Sequence, residues 1–144
     1  MPHDLALKGM NLAHRAIHTL SLGRLGWSAM GMPVLELTTT GRRSGQPRSL
    51  LLTSPLELEG GRHVIVASRG GDDRHPAWFL NLQADPEVEV VMGGGERRRM
   101  HARITEGDER ADLWARLTAA HGNYAGYQRA TEREIPVVVL EPLV

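Results

Sequence analysis

Val34-Leu35-Glu36-Leu37-Thr38-Thr39-Thr40, then Gly41-Arg42-Arg43-Ser44-Gly45-Gln46-Pro47, then Arg48-Ser49-Leu50-Leu51-Leu52-Thr53 is the run on which the fold turns. Its first part alternates with a period of two and closes on three threonines, which suit a pleated surface. It reads as a strand. The middle part, with two glycines and a proline, reads as a turn-rich loop. The last part resumes as a strand.

The same grammar continues outward. Residues 56–59 and 63–68 flank Gly60-Gly61 and read as a hairpin. Residues 76–84 read as a short helix, with Pro76 suited to the first turn and Asp85-Pro86 ending it. Residues 88–92 and 97–104 form a second hairpin around Gly93-Gly94-Gly95. Residues 109–120 read as a helix with Leu113, Trp114 and Leu117 on one face. Residues 135–140 are apolar enough for a central strand. Hairpins outnumber crossovers, which argues against a parallel doubly wound sheet. A mainly β, mostly antiparallel barrel with flanking helices is expected.

Upstream, Ala6, Met10, Ala13, Ile17 and Leu20 fall at helical spacing, with Lys8, His14, Arg15 and His18 mostly off that stripe. Two settings stay open for this amphipathic helix: packing on the domain, or lying on a membrane surface or a partner subunit, as in a homodimer. Residues 1–30 are therefore taken as helix and connector, and 31–144 as a single barrel domain. Residues 1–25 lack the features of a secretory signal, and no run reaches the roughly 20 apolar residues that span a bilayer. A cytoplasmic protein is expected.

The 17 Lys and Arg are balanced by 17 Asp and Glu, so no global field favours nucleic acid. Nor do few aromatics and no coherent basic face suit single-strand binding. Without cysteine there is no disulfide and no thiolate site. His14 and His18 have a metal-compatible spacing but no evident third ligand, so no metal is assigned. Arg97-Arg98-Arg99 reads as a solvated strand edge.

An anion site must then be local. The loop after the first strand concentrates Arg42, Arg43 and Arg48, with Ser44 and Thr40 adding hydroxyls. Arginine offers paired, charge-assisted donors to phosphate or carboxylate. Gly41 and Gly45 permit backbone N–H groups to converge as a nest; a solvated basic turn is the plain alternative. It is not a Walker loop, since the Gly-Lys-Ser/Thr ending is missing. Val66-Ala67-Ser68-Arg69-Gly70-Gly71 ends a strand in small residues, a hydroxyl and a cation, which suits a flat heterocycle. His75-Pro76-Ala77-Trp78-Phe79-Leu80-Asn81 adds two aromatics, with Trp78 either core or the wall of a ring pocket.

Together, residues 37–48, 67–71 and 75–82 resemble the deazaflavin-dependent nitroreductase family, which includes quinone reductases. The likeness runs on through Ala84-Asp85-Pro86-Glu87-Val88, the Tyr124, Tyr127 and Gln128 group, and residues 135–142. It implies a split β-barrel of the flavin-reductase and pyridoxine-phosphate-oxidase type, using coenzyme F420. By that resemblance Arg42, Arg43, Ser44 and Arg48 hold the anionic tail. Ser49, Leu50, Leu51, Leu52 and Thr53, with Val66, Ala67, Ser68 and Arg69, line the ring. Ala77, Trp78, Phe79, Leu80 and Asn81 close one side, while Tyr124 and Tyr127, with Trp78, border the substrate. The implied reaction is hydride transfer to quinones, nitroaromatics or other activated conjugated acceptors. Arg43 and Arg69 stand where relatives often carry lysine, and His121 where some carry tyrosine.

Hydride transfer asks the protein for position and electrostatics. Negative charge develops on the acceptor oxygen, and Ser68, then Tyr124, are the residues expected to stabilise it. The alternative is a carrier or binding barrel that takes FMN or the deazaflavin without reducing anything. FMN has one phosphate and no polyanionic tail, so three loop arginines favour F420.

Overall fold

The computed structural model describes residues 28–29 and 32–143. The expected N-terminal helix, its membrane or partner contact and the His14/His18 pair lie outside the described residues. Strand β1 is Ser28–Ala29, β2 Met32–Thr40, β3 Pro47–Thr53, β4 Leu56–Leu58 and β5 Arg62–Val66. After a 3-10 turn at Arg69–Gly71 come helix α1 Ala77–Ala84, β6 Glu87–Met92 and β7 Arg97–Ile104. Helices α2 Gly107–Ala120 and α3 Asn123–Arg129 precede β8 Val137–Pro142. The strands expected from alternation are all present. Helix α3 was not expected, because a seven-residue segment containing Gly126 shows too little periodicity.

Every strand pair is antiparallel. The order is β1-β2-β6-β7-β8-β5-β4, with β3 paired to β2. Only Ser54 and Pro55 separate β3 from β4, yet no pairing joins them among the described residues. The sheet curls into a barrel that stays open there. This is a split barrel. Buried Ser54 pins the bend: its N–H donates to the Pro33 carbonyl at 2.9 Å and its Oγ to the Val64 carbonyl at 2.8 Å.

The central strands are covered on both faces. Val137, Val138, Val139 and Leu140 of β8 are all fully buried, and alternation sends them two ways. Val138 and Leu140 join Leu35, Leu37, Ile65, Val88 and Val90 around Trp78, Phe79 and Leu82 of α1. Val137 and Val139 join Val64 and Val66 beneath Leu113 and Leu117 of α2 and Tyr124 of α3. Each such side chain contributes about 1.5–3 kcal/mol on burial.

One expectation needs correcting. Residues 97–99 are exposed but not on an edge, since β7 lies between β6 and β8. Arg97 pairs with Glu36 at 3.1 Å and Glu89 at 3.3 Å, and Arg99 with Glu87 at 2.7 Å. Carboxylates on β6 and β2, not an open edge, account for Arg97 and Arg99.

Candidate functional site

The open seam of the barrel holds a cavity of about 700 Å³. All of Arg48 to Thr53 border it. Consecutive strand residues point to opposite faces, so six in a row can border one space only along the strand's edge. Among the described residues strand β3 pairs only with β2, and the cavity runs along its other edge. The far wall comes from Val66 and the turn after β5, from α1 and from α3.

At one end sit Arg42, Arg43, Ser44 and Arg48. Among the described residues no carboxylate pairs with any of these three guanidinium groups, whereas Arg97, Arg99, Arg103 and Arg110 each pair with a glutamate. The loop is built for close approach. A Cβ on Gly41 would lie 2.7 Å from Ser44 Oγ and 3.1 Å from the Gln46 carbonyl. Some of its amides close the loop on itself: Gly41 N–H donates to the Gln46 carbonyl and Gly45 N–H to the Gly41 carbonyl, both at 2.8 Å. The Arg42 N–H donates to Asn81 Oδ1 at 3.2 Å. The three guanidinium groups supply the net positive charge at this end. Ser44 Oγ accepts from the Gln46 N–H at 3.2 Å and from Arg48 at 3.4 Å.

Asn81 ties this loop to α1. Its Oδ1 also accepts from the Arg42 guanidinium at 2.9 Å, and its Nδ2 donates to Thr39 Oγ1 at 3.2 Å. Ala77, Trp78 and Asn81, at helical spacings of one, three and four, all face the cavity. Trp78 serves both as wall and as core. Phe79 and Leu80 do not line the cavity; they are on the core side of the same short helix. Ala67 likewise packs into the core, because alternation turns it away from the space that Val66 and Ser68 border.

Ser68 has backbone angles of −76° and −34°, and Arg69 follows with a left-handed φ of 47°. That pair turns the chain sharply at the cavity rim. The Ser68 hydroxyl has no hydrogen-bond partner among the described residues. Arg69 pairs with Asp72 at 2.9 Å, whose carboxyl is held below its ordinary range first by the Arg74 N–H.

At the other end stand Asn123, Tyr124 and Tyr127. The two tyrosine rings meet edge-on with centroids 5.9 Å apart. Burial pushes the Tyr124 phenol up, and its hydroxyl lies 3.2 Å from Thr53 Oγ1 and 3.6 Å from Met32 Sδ. Ser49 is also engaged, 2.7 Å from Thr38 Oγ1.

Of the residues that the family resemblance assigns to cofactor or substrate, the structure brings together all but Ala67, Phe79 and Leu80. Gly41, Gly70 and Pro76, within the segments singled out, also border it, whereas sequence reasoning missed the lining by Met32, Thr39 and Asn123. Asn123 could have been found from its place beside Tyr124; Met32 could not, since only the curl of β2 brings it there.

A seam lined by guanidinium groups, apolar edge and tyrosines, on an open antiparallel barrel, defines a split-barrel reductase. More specifically, the chain belongs to the F420H(2)-dependent quinone reductase family, whose pattern matches residues 12–142. An F420H(2)-dependent quinone reductase of Mycobacterium tuberculosis is 40% identical over 131 residues, covering 88% of this chain and 86% of that one. The structure of an F420-H2 dependent reductase, FDR-A, superposes with a TM-score of 0.66 at 40% identity, over 76% of this chain and 94% of that one. A second structure, described as a domain-swapped dimer, gives a TM-score of 0.69 at 34% identity, over 98% of this chain and all (100%) of that one.

Proposed function

We propose that this protein is an oxidoreductase that uses reduced coenzyme F420 to reduce a quinone or a similarly activated conjugated acceptor. The observation that carries the reading is the trio of arginines at one end of the cavity, without carboxylate partners among the described residues, in a chain of balanced charge. A polyanionic tail supplies the missing counter-charge. The cavity volume of about 700 Å³ lies in the range of cofactor sites, and its apolar middle suits a flat ring. The residues present therefore fit the coenzyme, and the relatives' names agree with it.

When bound, the coenzyme supplies a hydride. The chain supplies everything else. Arg42, Arg43, Ser44 and Arg48 hold the tail. Leu50, Leu52, Val66 and Trp78 border the ring and keep water from it, with Ser49, Leu51, Thr53, Ala77, Asn81 and Arg69 completing the wall. The acceptor gains a hydride and a proton, and its oxygen becomes anionic between the two. The unpartnered Ser68 hydroxyl is the donor best placed to stabilise that oxygen. Tyr124, held protonated by burial and tied to Thr53, borders the acceptor with Tyr127 and Trp78 as a contact surface.

Cofactor titrations followed by fluorescence quenching test the reading. F420 binds, and FMN binds more weakly. Replacing Arg42 and Arg43 with Ala weakens full F420 at least about tenfold, one charge-assisted contact each, and leaves a tail-less ring analogue unaffected. Equal losses for both ligands would end the tail assignment. Menadione added to the reduced complex then separates a reductase, which reoxidises the coenzyme, from a carrier, which does not. The reading also includes a cytoplasmic location, with residues 1–30 as the part that meets a membrane surface or a partner subunit. Liposome co-sedimentation with and without that segment tests the contact.

A further inference from the structure

Arg133 belongs to neither strand nor helix and does not border the cavity. All three of its guanidinium nitrogens nevertheless donate into the turn that does. Nε donates to the Asp72 carbonyl at 2.8 Å. Nη1 donates to the Ala67 carbonyl at 3.2 Å and to His75 Nδ1 at 3.2 Å. Nη2 donates to the Ala67 carbonyl at 3.2 Å and to the Ser68 carbonyl at 2.9 Å. Arginine has no acceptor, so His75 Nδ1 must accept, which leaves the imidazole neutral with its proton on Nε2.

The consequence follows from peptide geometry. In a trans peptide the C=O and the next residue's N–H point in opposite directions. With the Ala67 and Ser68 carbonyls drawn toward Arg133, the N–H groups of Ser68 and Arg69 are turned away from it. Ser68, Arg69 and Gly70 border the cavity and Arg133 does not, so the side away from Arg133 is the one open to the cavity. The αR then left-handed sequence at Ser68 and Arg69 makes successive N–H groups converge. The cation behind them also polarises both peptides in the sense that strengthens those donors. A turn with a left-handed non-glycine residue needs such over-determination to persist.

We propose that Arg133 is a positioning residue for hydride transfer. Held behind the 67–72 turn, it aims the Ser68 hydroxyl and the Ser68 N–H group at the oxygen-bearing edge of whatever reacts in the cavity. This rests on reading the cavity as the coenzyme and acceptor site. The segment carrying Arg133 is itself braced: Thr131 Oγ1 donates to Asp73 at 2.8 Å, and Gln128 Nε2 donates to the Arg133 carbonyl at 2.7 Å.

The test is a double-mutant cycle between Arg133→Lys and Ser68→Ala, read as turnover with reduced F420 and menadione. Lysine keeps the charge but cannot span three carbonyls and an imidazole from one ammonium. R133K is expected to lower kcat about tenfold or more through misplacement, while the Kd of F420 changes by less than about threefold, because the tail contacts are elsewhere. S68A, costly alone, adds little in the R133K background. The absorption spectrum of bound oxidised F420 moves toward that of the free coenzyme in R133K. Thr131→Val, a milder loosening of the same brace, gives the pattern at reduced scale if R133K does not fold. Losses that multiply independently, or an unchanged spectrum and kcat, overturn the proposal alone. A wild-type protein that binds no F420 overturns the functional reading and this proposal together.

Discussion

Asn81 is a buried amide that joins three pieces of chain, β2, the arginine loop and α1, and it is 4% exposed. Substituting it with Ala leaves the Thr39 hydroxyl and Arg42 without their partner. The cost to stability is about 1–3 kcal/mol for the stranded polar groups, measured by urea denaturation. Affinity for full F420 should drop severalfold while that for a tail-less ring holds, since Arg42 alone loses its support. An unchanged F420 affinity would show that Arg42 needs no such anchor. At this scale the arginines were legible in the sequence because charge, glycine and proline sit within a few residues of one another. The Asn81 contact was not, because 39 residues separate it from Arg42. In the loop the Gly41, Arg42, Gly45 and Gln46 amides are engaged, which glycine spacing alone does not show.

Among the elements, α2 shows how periodicity reaches energetics. Leu113 and Leu117 recur at a helical interval and both are buried, while Trp114 sits at the margin under the Arg110 guanidinium, 4.8 Å from its ring. Leu117→Ala should cost about 2–5 kcal/mol, seen as a lower urea midpoint with an unchanged slope. The short helix α3 depends instead on a neighbour. Gly71 has a φ of 85°, and a Cβ there would lie 2.9 Å from the Ala130 Cβ and 3.0 Å from the Tyr127 carbonyl. Gly71→Ala must push α3 outward, carrying Tyr124 and Tyr127 with it. The KM for the acceptor should rise more than the Kd for F420; a matching rise in both would place the tyrosines on the coenzyme instead. Strands and α2 were legible because their periods are long enough to count, and α1 because Pro76 and Asp85-Pro86 mark its ends. The 3-10 turn and α3 were not, because what stabilises them is contact with each other.

For the whole molecule, the pH response follows from two histidines. Burial pushes His63 and His75 below their ordinary value of 6.5, with the Arg98 and Arg133 charges adding to the respective effects and Glu57 opposing it at His63. The unfolded chain then binds protons at a pH where the folded protein does not, so stability falls as pH drops through 6.5 toward the folded values. Asp72, also held low, adds a loss of the same sign at more acid pH. Urea midpoints between about pH 8 and about pH 5 should decline, and His63→Gln should flatten the upper part of that decline; a flat profile in the parent protein would refute it. The sequence by itself determined the strands, their antiparallel hairpins, the basic loop and the family likeness, since each is written in neighbouring residues. Only the tertiary structure decided that the barrel stays open between β3 and β4, that the cavity runs along that edge, and that Arg133 stands behind Ser68. Those facts depend on which distant segments meet, and chain separations of 39 to 92 residues leave no local period to read.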